Sequence, residues 1–306
     1  IMCVPLMVKT QLTGILTIYN KRDPEGFTEN DRRLLTIIAA QSAQLIENAR
    51  LYQESLALEQ MKEQQKNAFL IQRNLLPSAP PEIDGYDIAG ESTPALAVGG
   101  DYFDYIPRPN GRCAICLGDV SGKGLPASLL MANLQATLRA HTISDISVDE
   151  CVQRSNTAIS NNTSDEQFIT LFYGELDSTT HEFAFCNAGH EHPLLFSEDG
   201  DPVNPATLES TGIALGIFDG VNYECKSVRL APGDLVVIYS DGVTDATNEA
   251  EEPFGLERLL VAVSRHRNGS SKDLIDGVFK AINNFAGKAT QFDDLTLVAL
   301  RRNSTS

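Results

Sequence analysis

Two short apolar runs, residues 2–8 and 14–19, flank a polar turn at Lys9-Thr10-Gln11, a pattern that predicts a β-hairpin or two neighbouring strands. After a loop over 20–26, Thr28 can cap a helix, with Asp31 three residues on in the capping-box position. The apolar positions Leu34, Leu35, Ile38 and Ala39 then follow the helical period, and no stop signal comes before Pro77. Leu45, Ala49, Tyr52 and Leu56 keep the 4-3-4 step of a heptad seam, and Met61, Ala68 and Leu75 recur every seven residues. The step from Leu56 to Met61 is five, so the seam is interrupted there. Two readings stay open: a solvated linker helix packed on its own domain, or a parallel two-chain coil that joins a second copy of the chain.

Beyond Pro77-Ser78-Ala79-Pro80-Pro81 the pattern changes. Strand-type apolar runs stand at 113–117, 168–173, 183–186, 194–196, 235–239 and 295–300. Helical patterns cover 125–141, entered at Leu125-Pro126, then 148–160 and 256–286. Many strands with helices in blocks, not in strict alternation, favour an α+β sandwich over a doubly wound parallel sheet. Three segments follow: 1–48, 49–80 as linker helix and Pro-rich hinge, and 81–303. Two strands and one helix bury too little for a whole domain, so 1–48 reads as the end of one. The opening Ile1-Met2-Cys3 lies in mid-pattern, which suggests a fragment of a longer chain.

Charge sharpens the division. Residues 1–80 carry 9 basic and 8 acidic side chains, whereas 81–306 carry 15 and 33. A formal net charge of −17 argues against non-specific nucleic-acid binding. No run approaches the roughly 18 apolar residues of a membrane span. The six cysteines mostly sit in apolar surroundings, as reduced core thiols do in a cytoplasmic protein. Cys113 and Cys116 form a lone Cys-x-x-Cys whose members face opposite ways on a strand, so buried core outweighs zinc or redox work.

The chemistry lies in where aspartates fall. Asp101 stands in Gly99-Gly100-Asp101-Tyr102-Phe103-Asp104, and Asp119 follows an apolar run in Gly118-Asp119-Val120-Ser121-Gly122-Lys123-Gly124. Asp241 follows another in Ser240-Asp241-Gly242, and Asp293 and Asp294 precede a third. Converging carboxylates repel unless a cation neutralises them, and oxygen-only donors select hard ions such as Mg²⁺ or Mn²⁺. Two such ions can activate a water for attack on phosphorus.

With these residues in place the chain resembles the metal-dependent PP2C-like (PPM-type) protein phosphatases of the bacterial SpoIIE/RsbU branch. Ile71-Gln72-Arg73-Asn74-Leu75-Leu76-Pro77, the two glycine-aspartate motifs, Phe168-Ile169-Thr170-Leu171-Phe172, Asn187-Ala188-Gly189-His190, Leu215-Gly216, Ser240-Asp241-Gly242 and Gln291-Phe292-Asp293-Asp294-Leu295-Thr296 come in the family's order, over about 70–302. Residues 1–50 resemble the C-terminal part of a GAF sensor domain, through Val4-Pro5-Leu6, Gly14-Ile15-Leu16, Phe27-Thr28-Glu29-Asn30-Asp31 and Ile46-Glu47-Asn48-Ala49-Arg50. The resemblance implies a β-sandwich of two antiparallel sheets flanked by helices, with metals at one end. It implies that Asp119 bridges two ions, with the Val120 carbonyl as a further ligand. Asp241 and Asp293 would hold one ion, Asp293 being preferred to Asp294 by alignment with the family's Asp-Asn-x-Thr, and Asp101 the other, directly or through water. It further implies hydrolysis of phosphoserine or phosphothreonine on a STAS-type anti-sigma-factor antagonist, in the cytoplasm.

Other readings compete at single motifs. Gly99-Gly100-Asp101-Tyr102-Phe103 resembles the GGDEF motif of diguanylate cyclases, but Tyr102 stands where that motif needs an acid. The glycines of 118–124 are one residue too close for a P-loop. Lys123 can approach a phosphate or remain an exposed loop lysine, His190 and His192 form an HxH pair that reads as structural, and Arg108 and Arg112 have no assigned place at the phosphate. A phosphatase fold surviving as a catalytically silent signalling scaffold is the alternative function.

Overall fold

A computed structural model describes residues 1–163, 167–198, 200–201 and 203–304 of the chain, apart from the side chain of Asn110. It divides into two compact units, Ile1–Asn67 and Ala68–Ser306. In the first, β1 (Met2–Val8) and β2 (Gln11–Ile18) form an antiparallel hairpin, with Lys9 at φ 54 in the turn. The helix α1 (Glu29–Arg73) opens on the expected cap, Asp31 N–H donating to Thr28 Oγ1 and Thr28 N–H to the Asp31 carboxylate. Leu35 and Ala39 are buried with Val4 against the hairpin, while Leu45, Tyr52 and Leu56 are exposed. The helix ends at Arg73, four residues short of Pro77: Asn74 and Leu75 N–H groups reach back three residues in a tightened turn.

The second unit has four layers. One sheet takes the order β10-β7-β6-β5-β4, from β4 (Tyr102–Pro107), β5 (Cys113–Val120), β6 (Ile169–Asp177), β7 (Glu182–Ala188) and β10 (Lys226–Arg229). The other runs β3-β12-β11-β8-β9, from β3 (Tyr86–Thr93), β8 (Leu194–Phe196), β9 (Ala206–Thr207), β11 (Leu235–Tyr239) and β12 (Leu295–Arg302). Every pairing between these strands is antiparallel. Helices α2 (Leu125–Thr142) and α3 (Val148–Ser160) cover the first sheet, and α5 (Gly255–His266) and α6 (Ser271–Ala286) the second, with the one-turn α4 (Asp241–Asp245) after β11. This is the α+β sandwich expected.

Strand periodicity explains the layering. On β5, Cys113, Ile115 and Leu117 point between the sheets, whereas Ala114, Cys116 and Val120 pack under α2 and α3. The two thiols of the Cys-x-x-Cys therefore lie in different cores, and burial pushes that of Cys113 up to about 12. Cys151 and Cys186 are buried too, and burial raises them to about 11 and about 12. The helical pattern over 256–286 divides at Gly269, where Ser270 and Asp273 form a capping box that starts α6. Four strands, β3, β4, β9 and β10, had no counterpart in the sequence pattern. Among the described residues no helix is long and apolar enough to cross a membrane.

Arg108 proves structural. Its guanidinium is buried, pairs with Glu175 at 2.7 Å, and donates to the carbonyls of Thr142 and Ser144, both at 2.8 Å, and of Ile146 at 2.6 Å. It ties the end of α2 to β6. Arg112 pairs with Glu175 at 2.5 Å and also with Asp145. Removing one member of a buried pair strands the other charge. Arg108→Met is expected to destabilise the second unit by about 3 to 5 kcal/mol, read from urea unfolding. A loss below about 1 kcal/mol would show that the tie is dispensable.

Candidate active site

The aspartates singled out in sequence meet at one end of the sandwich. Asp119 is the penultimate residue of β5 and lies opposite Thr170 of β6 in the ladder. Asp241 opens α4 directly beyond β11, and Asp293 and Asp294 directly precede β12. Asp101 precedes β4 and is only 4% exposed. Three glycines make the approach possible. A Cβ on Gly100 would lie 2.9 Å from the Val120 carbonyl oxygen, and one on Gly99 would lie 2.3 Å from Asp294 Oδ2. One on Gly242 would lie 2.1 Å from the Asp294 carbonyl oxygen. Backbone approaches this close admit no side chain.

The electrostatics follow from the crowding. Burial, then the charges of Asp119 and Asp294, push the Asp101 carboxyl well above the usual range. Asp119 is pushed up to about 7 by burial, then by Asp241, Asp293 and Asp294. Asp241 is also raised, by burial and then by Asp293 and Asp245, with Lys123 opposing. Lys123 is the cation at this mouth: its ammonium lies 3.0 Å from Asp293 Oδ2, donates to the Phe292 carbonyl at 2.6 Å and stands 3.4 Å above the Phe292 ring centroid.

The two adjacent aspartates have different surroundings. Asp294 Oδ1 accepts from Ala95 N–H at 2.8 Å, and its Oδ2 from Gly100 N–H at 2.6 Å and Asp101 N–H at 3.2 Å. Its oxygens are committed to the loop before β4. Asp293 Oδ1 accepts from Asp294 N–H at 3.0 Å and its Oδ2 faces Lys123.

The donor set suits a hard divalent cation. All side-chain donors are carboxylates, their mutual repulsion raises Asp101, Asp119 and Asp241 despite Lys123 and nearby hydrogen-bond donors, and Asp101 Oδ2 is buried without a hydrogen-bond partner. Among the described residues, no three acidic, imidazole or thiol groups close into a tight cage. Sparse carboxylate donors at an open mouth match ions that keep several waters, such as Mg²⁺.

The remaining motif residues lie apart. His190 is buried, its Nδ1 2.8 Å from Thr170 Oγ1, and burial lowers its pKa to about 4. His192 is exposed, so the two imidazoles do not share a face. Asp104, on β4, is buried and held by Tyr102 Oη at 2.6 Å and Arg139 Nε at 2.7 Å. One contact lies in the motif Ile71–Pro77, which the sequence places in the family's order without naming a partner for Gln72. The Gln72 side chain, 9% exposed, donates to the Gly99 carbonyl at 2.6 Å and accepts from Gly99 N–H at 3.0 Å. Gln72 is followed by Arg73 and Asn74 before the apolar Leu75-Leu76, so polarity alone does not single it out.

The chain is similar to known proteins over most of its length. Residues 109–303 match the family model described as Stage II sporulation protein E (SpoIIE), and residues 1–47 match one described as GAF domain. The phosphoserine phosphatase RsbU of Bacillus subtilis is 28% identical over 258 residues, covering 82% of this chain and 75% of that protein. Protein IcfG of Synechocystis sp. is 28% identical over 260 residues, covering 76% of this chain but 40% of its own length. A crystal structure of the RsbU and RsbW domains of a Mycobacterium tuberculosis protein superposes with a TM-score of 0.62 at 27% identity, covering 74% of this chain and 64% of that one. The catalytic domain of the phosphatase PstP, solved with two manganese ions, shares the fold at a TM-score of 0.53 and 14% identity, covering 71% and 97%.

The titration of Asp119 gives the site a pH signature. Its carboxyl rises from an ordinary 3.8 to about 7, so the folded chain holds a proton that the unfolded chain releases. This contribution to stability is complete below about pH 4 and lost as pH rises to about 7. A divalent cation needs the deprotonated form, which reverses the trend. In thermal unfolding, the gain from Mn²⁺ over chelator is expected to be larger at pH 8 than at pH 5. An equal gain at both values would separate cation binding from these carboxylates.

Proposed function

The chain belongs to the SpoIIE family, and from that premise we propose that its second unit is a PPM-type protein serine/threonine phosphatase. The observation that carries this is the set of mutually repelling carboxylates at one end of a PP2C-like sandwich. Asp119, with the Val120 carbonyl, Asp241, Asp293 and Asp101 would hold two ions, Mn²⁺ or Mg²⁺. When bound, the ions supply an acidified water as nucleophile and charge neutralisation at the phosphoryl oxygens.

The protein's own residues do the positioning. Asp119 is fixed by the β5–β6 ladder, and Asp241 by the packing of Gly242 on the Asp294 backbone. At the mouth Asp293 Oδ2 is held only by the Lys123 side chain, which a cation can displace, whereas both oxygens of Asp294 accept backbone hydrogen bonds, which favours Asp293 as the ligand. The chain has no Cys-x5-Arg nucleophile loop, which favours direct hydrolysis over a covalent intermediate.

RsbU is named a phosphoserine phosphatase, and the acidity of 81–306 disfavours capture of a small anionic ester by charge alone. A phosphorylated STAS-type regulatory protein of sigma-factor control is therefore the proposed substrate. Activity towards such a phosphoprotein is expected to vanish in EDTA and return with Mn²⁺ or Mg²⁺. Asp119→Asn is expected to lower turnover by about 100-fold or more with the fold retained. Full activity in chelator, trapping of a phosphoenzyme, or near wild-type turnover of Asp119→Asn would each overturn the assignment.

A second copy of the chain is the proposed partner of α1. Leu45, Tyr52 and Leu56 are 69%, 66% and 40% exposed and share the heptad seam, while Leu35 and Ala39 are used against the hairpin. The chain is expected to sediment as a dimer, and Leu45→Glu with Tyr52→Glu to give a monomer. A monomeric wild type at tens of micromolar would leave α1 a tether.

A further inference from the structure

The segment 94–101, which delivers Asp101, has no ladder of its own. The buried Asp101 Oδ2 has no hydrogen-bond partner, although the Thr296 and Ser240 side chains stand near the carboxyl and favour its charged form. The segment is instead gripped from two directions. The Gln72 amide at the end of α1 matches the N–H and C=O of Gly99 as a neighbouring strand would, at 3.0 and 2.6 Å. The Asp294 carboxylate takes three N–H groups, those of Ala95, Gly100 and Asp101. The missing Cβ atoms of Gly99 and Gly100 leave the room that this grip needs.

Resting on the reading of the site as a cation centre, we propose that Gln72 and Asp294 form a clamp on the 95–101 loop that sets the position of Asp101 and hence the affinity for the divalent cation. Both are positioning residues. The proposal gives adjacent acids separate tasks: Asp294 holds the loop, and Asp293 faces the mouth. It also makes the last turn of α1 part of the active-site scaffold, because a buried amide with both hydrogen bonds made tolerates little displacement.

The test uses the whole chain and Mn²⁺ as probe, followed by titration calorimetry as well as by turnover. Gln72→Ala and Asp294→Asn are each expected to weaken Mn²⁺ binding by about 10- to 100-fold, as loss of an outer-shell partner does. Turnover at saturating Mn²⁺ should stay within a few-fold of wild type, unlike that of Asp119→Asn. Gln72→Glu keeps the acceptor for Gly99 N–H but turns an oxygen on the Gly99 carbonyl, and should bind Mn²⁺ no better than Gln72→Ala. The double variant should lose less than the product of the single losses, because one released loop cannot be released twice.

Wild-type Mn²⁺ affinity in both single variants, or losses that multiply, would overturn the clamp. Amide exchange on the wild type tests it even where a variant fails to fold: Gly99 and Gly100 should exchange far more slowly than exposed Gly122. Equal rates would sink the proposal. If the wild type hydrolyses no phosphoprotein, the phosphatase reading fails, and the exchange rates still decide the clamp.

Discussion

Mutual repulsion among carboxylates is the constraint that the second unit is built to withstand. Asp101, Asp119, Asp241 and Asp293 would separate if each sat on a free loop. Each is instead the continuation of a structure that cannot yield. Asp119 lies within a ladder, Asp241 and Asp293 are joined through Gly242 and the Asp294 backbone, and Asp101 hangs from a loop bound at several points. The raised Asp119 carboxyl is the energetic trace of that confinement. A polar arrangement this unfavourable needs a rigid frame, and the three stacked cores supply it.

The same frame explains which parts of the fold were legible in the sequence. β5, β11 and β12 are buried on both faces, so they read as unbroken apolar runs, and all three appeared in the pattern. β3 mixes Asp87, Glu91, Ser92 and Thr93 with its apolar positions, and β10 is a short, largely exposed edge. Neither carries a period that a single sequence can reveal. α5 and α6 merged into one segment because their amphipathic faces continue across the break, and only the cap at Ser270 marks the division.

The site was legible to the extent that its chemistry is local. Aspartates beside glycines at strand ends announced themselves, and the structure brings them together. Non-local hydrogen bonding was not legible. Nothing in Asp293-Asp294 says which carboxylate turns to the loop near Ala95, about two hundred residues away in sequence, and nothing in Gln72 names Gly99 as its partner. Arg108 illustrates the converse. The sequence left this arginine near an acidic motif without a place, and the structure shows its donors spent on Glu175 and three carbonyls.

The thiols carry a consequence for life under oxidants. Peroxide attacks the thiolate, and Cys113, Cys116, Cys151 and Cys186 are buried and held protonated far above neutrality. Of the exposed sulfurs, Cys3 is on β1 of the first unit and Cys225 stands just before the edge strand β10. A phosphatase that works through a cysteine is silenced when its nucleophile becomes a sulfenic acid. Carboxylates have no such oxidation to undergo, so a site built on them keeps its ligands under peroxide that disables a thiol-based one.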